Sequence, residues 1–168
     1  MAIEYQALRG TTGGMDLTSF NAIAGLFEQE PARAAFAMRE LILKLQNTFN
    51  ALERARFPVI AAIHGACIGA GVDMASACDI RLASRDAVFS IEEINIGMAA
   101  DVGTLQRMSK LVAPGIVKEL AYTGRRFSAP EAQAWGFVNS LHDGHDATLA
   151  AAMDLAGEIA ARSPLAIA

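Results

Sequence analysis

The longest regular pattern of apolar positions lies in residues 33–56. Met38, Ile42, Leu45, Phe49 and Leu52 step by four, three, four and three, while Arg39, Glu40, Lys44, Glu53 and Arg54 fall largely off that stripe. The spacing predicts a helix that buries one face. It ends at Phe57, because a residue that precedes proline is driven out of helical geometry. The pattern then changes. Residues 59–63 form an unbroken apolar run bounded by Pro58 and Gly65, which reads as a buried parallel strand. Gly65, Gly69 and Gly71 follow and allow sharp turns and close backbone approach. Residues 71–77 read as a short helix whose first N–H groups point back toward the Gly-rich turn, an arrangement that favours negative charge or a developing oxyanion.

Downstream, residues 80–83 and 87–90 read as strands around a turn at 84–86. A helix is expected over 102–111 and another over 114–122, the latter with Pro114 in its first turn. A short helix at 129–134, a strand at 137–141 and an Ala-rich helix at 145–162 complete the series. Upstream, residues 2–8 alternate loosely and suit an edge strand, 10–14 form a flexible turn, and Asp16 precedes an apolar-periodic stretch at 17–27 as a helix N-cap.

Composition narrows the classes. A chain of 168 residues, 53% hydrophobic and 19% charged, suits one domain with a real core and excludes disorder. A net charge of -4 offers no basic surface to nucleic acid. No apolar run approaches the ~20 residues of a membrane helix. The start, MAIEYQALRG, has no secretion-signal character and residues 165–168 are not a Ser-Lys-Leu address, so a cytoplasmic location is expected. Cys67 and Cys78 lack metal-ligand spacing and read as small core residues in a reducing compartment.

Three carboxylates stand out: Asp73 in GAGVDMASA and Asp101 in GMAADVG, both with apolar flanks, and Glu93 in SIEEINIG. Each has a plainer reading. Asp101 is placed to cap the helix that follows it. Glu93, beside Glu92, suits a solvated turn. Asp73 complements a helix dipole. Apolar flanks argue for burial, and buried acids are rare unless used or paired. Asp79 and Arg81 read as a structural charge pair or turn contact, His64 as a hydrogen-bonded core residue, and Trp135 as packing a helix end. His142 and His145, with Asp143 and Asp146, read as a solvated turn and helix start rather than a metal site.

The segments IHGACIGAGVDMASACDIR, SIEEINIGMAADVGTLQRM and TGRRFSAPEAQAWGFVNSL, with GGMDL upstream, resemble the enoyl-CoA hydratase/isomerase (crotonase) family. GVDMASACDIR and AADVGTLQR are most similar to its dienoyl-CoA isomerase branch. The resemblance implies an α/β fold, a crotonase-like ββα spiral, here one partial domain over 1–168. Part of the N-terminal core, between residues 2–8 and the GMDL turn, and the C-terminal helices past Pro164 are expected to be missing. It implies an oxyanion hole built from the backbone N–H groups of Met15 and Ala70, with Gly69, Gly71 and Asp16 at the substrate. Glu93 and Asp101, 20 and 28 residues after Asp73, would carry the proton transfers, and Asp73 would hold the dienyl part. The implied activity is an isomerase moving 3,5-dienoyl-CoA to 2,4-dienoyl-CoA. Two alternatives remain open: an enoyl-CoA hydratase, a branch that typically has Glu at position 73 and Gly at 101, and an inactive truncated paralogue. No metal or redox cofactor is implied, since CoA arrives with the acyl substrate. A homotrimer or dimer of trimers is the implied assembly.

Overall fold

The computed structural model describes Gly25 and residues 30–167. The expected edge strand at 2–8, the turn at 10–14 and, apart from Gly25, the 17–27 stretch capped by Asp16 lie outside the described residues.

Helix α1 spans Pro31–Glu53. The Glu30 carboxylate accepts from the N–H groups of Ala32 and Arg33, and Pro31 sits in the first turn, where its missing N–H is not needed. The helix therefore starts two residues before the apolar stripe predicts and stops three residues short of it. Phe49 is buried, while Met38, Ile42, Leu45 and Leu52 are half-buried.

The rest of the chain winds as strand, strand, helix. The first turn is β1 (Ile60–Ile63), β2 (Ala66–Ile68) and α2 (Ala70–Ala77). The second is β3 (Ile80–Ser84) and β4 (Val88–Ser90), a 3-10 turn at Glu93–Ile96, then α3 (Thr104–Met108) and α4 (Pro114–Thr123). The third is β5 (Phe127–Ser128), α5 (Ala129–Ala134), β6 (Ser140–His142) and α6 (Gly144–Ala160), followed by α7 (Pro164–Ile167). Each turn gives one strand to each of two sheets. One sheet is β1-β3-β6, all parallel, with Ile60 opposite Ile80 and Leu82 opposite Ser140. The other is β2-β4-β5, with Cys67 beside Phe89 in a parallel pair and Phe89 beside Phe127 in an antiparallel one. This is the expected α/β spiral.

Helix α6 lies across β1, β3 and β6, and α2 packs against both α1 and α3. The core is centred on Phe89, Phe127, Phe137, Met108 and Leu120. Cys67 and Cys78 are buried free thiols, as their context predicts. Burial pushes the Cys67 thiol up to about 12 and that of Cys78 to about 11, so both stay protonated and inert.

Several expectations shift. The strand expected over 137–141 forms only at Ser140–His142, because Phe137 and Val138 are core residues bonded back to the Ala132 carbonyl. The helix expected over 102–111 is confined to Thr104–Met108. Of the two readings of Asp79 and Arg81 the turn contact is the one present: Arg81 Nη2 donates to the Asp79 carbonyl at 3.4 Å, and the two side chains do not bond each other. Asp79 accepts from the Val59 N–H at 2.8 Å, whereas Arg81 donates to the carbonyl of Phe137 at 2.6 Å and to those of Ala75 and Cys78. Trp135 does close a helix, ending α5 with its ring 5.7 Å from that of Phe127. His64 meets the ring of His145 edge-on at 4.3 Å, His142 bonds Ser140 and His145 bonds Asp146.

Candidate active site

The Gly-rich turn between β2 and α2 fixes the position of the site. Gly69 takes a φ of 53°, a left-handed conformation that glycine adopts without penalty, and its N–H reaches the Ser90 carbonyl at 2.9 Å. Gly69 has no side chain to cap α2, so Ala70 and Gly71 open the helix with uncapped first-turn N–H groups. Among the described residues no non-glycine has a positive φ. The methyl of Ala70 therefore sits on ordinary backbone. A Cβ added at Gly69 would meet Oε1 of Glu93 at 3.4 Å, which shows how closely the 3-10 turn approaches the start of α2. Met15 and Asp16 lie outside the described residues.

Asp73 and Glu93 meet here, and Asp101 lies within electrostatic reach of both. Asp73, in the first turn of α2, is fully buried. Its Oδ1 accepts from the backbone N–H of Thr104 at 2.8 Å and from the Thr104 hydroxyl at 2.6 Å. Asp73 thus caps α3 from a separate element. That overturns the reading of Asp101 as a helix cap: the capping position belongs to Gly103, with a φ of 126°, and the accepting carboxylate comes from α2. Oδ2 of Asp73 and Oε2 of Glu93 are buried with no hydrogen-bond partner among the described residues. Asp101 is half-buried, and its backbone carbonyl accepts from the Gln46 side chain of α1 at 2.6 Å.

Electrostatics couple these groups. Burial pushes the Asp73 carboxyl above the usual carboxylate range, and the charge of Asp101 adds to the rise. The two Thr104 bonds and the nearby Arg107 charge oppose it. Burial likewise raises Glu93, opposed by a backbone bond and reinforced by Asp73, Asp101 and Glu92. A polar cleft of about 290 Å³ opens beside Asp101, between Gln46, Asn50, Gly103 and Gln106. An apolar groove of about 620 Å³ runs along α1 past Ala34, Met38 and Ile42 and meets the cleft at Gln46. Asp73 and Glu93, desolvated and each with one unpartnered oxygen, can take up and release protons nearer neutrality than free carboxylates do.

Sequence reading missed Thr104, Arg107 and Gln46. Thr104 and Arg107 follow Asp101 closely, but nothing local marks Thr104 as the partner of Asp73 or Arg107 as a donor to the Val102 carbonyl. Gln46 lies one residue from the apolar stripe of α1 and is half-buried.

The profile of the Enoyl-CoA hydratase/isomerase family matches residues 24–168, and the chain belongs to that family. It is 44% identical over 158 residues to the mitochondrial Delta(3,5)-Delta(2,4)-dienoyl-CoA isomerase of Homo sapiens, which covers 93% of this chain and 48% of the relative. It is 42% identical over 156 residues to the peroxisomal isomerase of the same name from Arabidopsis thaliana, covering 92% of this chain and 56% of the relative. Among solved structures, an enoyl-CoA hydratase from Mycobacterium smegmatis superposes with a TM-score of 0.78 at 28% identity, covering 92% of this chain and 56% of that one. An enoyl-CoA hydratase from Bacillus anthracis superposes with a TM-score of 0.74 at 34% identity, covering 78% and 50%. The chain thus spans about half the length of the relatives it matches. The mitochondrial and peroxisomal locations of these relatives overturn the expectation of a cytoplasmic protein. That expectation rested on the composition of the two ends, whereas organelle addresses are read by receptors and leave no mark on a fold.

Proposed function

We propose that the protein isomerises 3,5-dienoyl-CoA to 2,4-dienoyl-CoA. Asp73 and Glu93 at the start of α2, each with a buried carboxylate oxygen left unpartnered and both within electrostatic reach of Asp101, are the observation that carries this reading. The reaction relocates one proton. Removal of a C2 proton gives an enolate whose charge spreads along the two double bonds, and return of a proton at C6 leaves double bonds at C2 and C4. No electron is gained or lost, so the chemistry calls for no redox cofactor or metal. Glu93 and Asp101 serve as the proton carriers, one at each end of the dienyl unit. Asp73, held rigid by Thr104, keeps that unit between them. The enolate oxygen lies against the backbone N–H of Ala70, with Met15 as the second donor, each such donor being worth roughly 3 kcal/mol of barrier. The dienoyl-CoA isomerases among its relatives support the same reaction.

A simple hydratase has no use for a third acid beside the acyl chain. Ultraviolet absorbance of the conjugated product tests the isomerase directly. Asp101→Asn and Glu93→Gln should each lower turnover by ~10²–10⁴-fold, the usual share of a proton-transfer group. Wild-type rates in both variants would sink the assignment. Turnover of crotonyl-CoA in preference to a dienoyl-CoA would point to the hydratase instead.

A further inference from the structure

Arg107 is a buried charge to which the proposed chemistry gives no role. Only 8% of its side chain is exposed, and each guanidinium nitrogen donates a hydrogen bond. Nε donates to Glu53 Oε2 at 3.1 Å, Nη2 to Asn50 Oδ1 at 2.6 Å, and Nη1 to the Val102 carbonyl at 3.2 Å. Glu53 and Asn50 lie on α1, and Gln46, one turn earlier on the same face, holds the neighbouring Asp101 carbonyl. One helix therefore grips the 101–103 loop twice, directly through Gln46 and indirectly through the guanidinium. Gly103 makes room for this. A Cβ there would run into Nη1 of Arg107 and stand 2.8 Å from Cζ, and the φ of 126° disfavours any side chain.

We propose that Arg107 is a positioning residue: its guanidinium fork clamps the 101–103 loop to α1 and thereby fixes the Asp101 carboxylate relative to Asp73 and Glu93. The proposal rests on the isomerase reading for the meaning of that geometry. Arginine suits the task because a planar fork holds several acceptors in fixed directions, which a lysine ammonium cannot reproduce. Its charge also opposes the rise of the Asp73 carboxyl, so the clamp and the cation sit in one residue.

Three variants of the full chain separate these roles. Arg107→Lys keeps the charge and loses the fork. Gly103→Ala keeps Arg107 and displaces it. Arg107→Met removes both. The first two should lower kcat on 3,5-dienoyl-CoA roughly 10- to 100-fold with KM within about twofold, as expected for a misplaced reacting group. Two readouts need no substrate: amide exchange at 101–103 should quicken in Arg107→Lys and Gly103→Ala, and the Asp73 carboxyl, followed by carbon NMR, should titrate higher in Arg107→Met. If these hold while the wild type converts no dienoyl-CoA, the isomerase reading fails and the clamp stands. Unchanged exchange at 101–103 overturns the clamp whatever the turnover, and so does a loss confined to KM. Should Arg107→Met not fold, Asn50→Ala, which removes one acceptor, carries the same expectation for exchange at smaller size.

Discussion

Helix α2 meets a buried charge at each end. At its C-terminal end the Arg81 guanidinium donates to the carbonyls of Ala75, Cys78 and Phe137 and lies 5.6 Å from the Phe137 ring. A cation among the last carbonyls of a helix is favoured by the dipole, and every face of this one is engaged. Burial still pulls its pKa below the ordinary value, so the bonds offset desolvation without removing it. At the N-terminal end Asp73 also has a favourable dipole, but its neighbours are acids and one of its oxygens has no partner among the described residues. Glu93 beside it is in the same condition. The first charge is saturated with bonds and holds β3, α2 and the Phe137 segment together. The second is kept short of them, and an under-satisfied carboxyl is one that a proton or a substrate can still engage.

The comparison breaks most readily at Arg81. Arg81→Met should destabilise the fold by about 3 kcal/mol or more, because at least two buried carbonyls lose their donor at roughly 1–3 kcal/mol each. The denaturant midpoint measures this, and a loss under about 1 kcal/mol would mean that the two ends of α2 do not differ as argued. A smaller effect belongs to the same well-bonded half of the molecule. Ser128 and Glu131 form a reciprocal capping box at the start of α5, with Glu131 Oε2 accepting from the Ser128 N–H at 2.8 Å. Ser128→Ala should lower stability by about 1 kcal/mol and leave the titration of Asp73 untouched. A change in that titration would show that the two halves are coupled.

Much of this division could be read from the chain. The α5 boundaries, the β1 strand and the burial of Asp73 follow from local pattern, since apolar flanks and Pro or Gly punctuation act over a few residues, although of the β1 run only Ile63 is buried. Strands β2 and β5 carry no legible period because they have three and two residues. The helix after Asp101 was misplaced for a different reason. Its start is set by a carboxylate 31 residues away and by the glycine conformation that Arg107 requires, neither of which leaves a local trace. Arg81 and Asp79 are close in sequence and opposite in charge, yet a buried guanidinium finds more acceptors among carbonyls than one exposed carboxylate can offer. Elements are encoded locally, whereas the bonds that support the acids are tertiary.

The finest test of the comparison is a slope rather than an offset. The folded-state pKa of Asp73 is raised, so its protonated form favours the fold. That stabilisation is fully present below the ordinary carboxylate range, about pH 4, and is lost as pH rises through the raised value. Asn at position 73 does not titrate, and its Oδ1 can still accept both Thr104 bonds. Glu93 strengthens the trend, because losing the Asp73 charge removes one cause of its own raised pKa. The Tm of Asp73→Asn minus that of wild type should therefore increase from about pH 4 to about pH 8. A flat difference would mean that Asp73 ionises as freely in the fold as out of it. A falling one would mean that its charge is supported as fully as that of Arg81, and the contrast between the two ends of α2 would be gone.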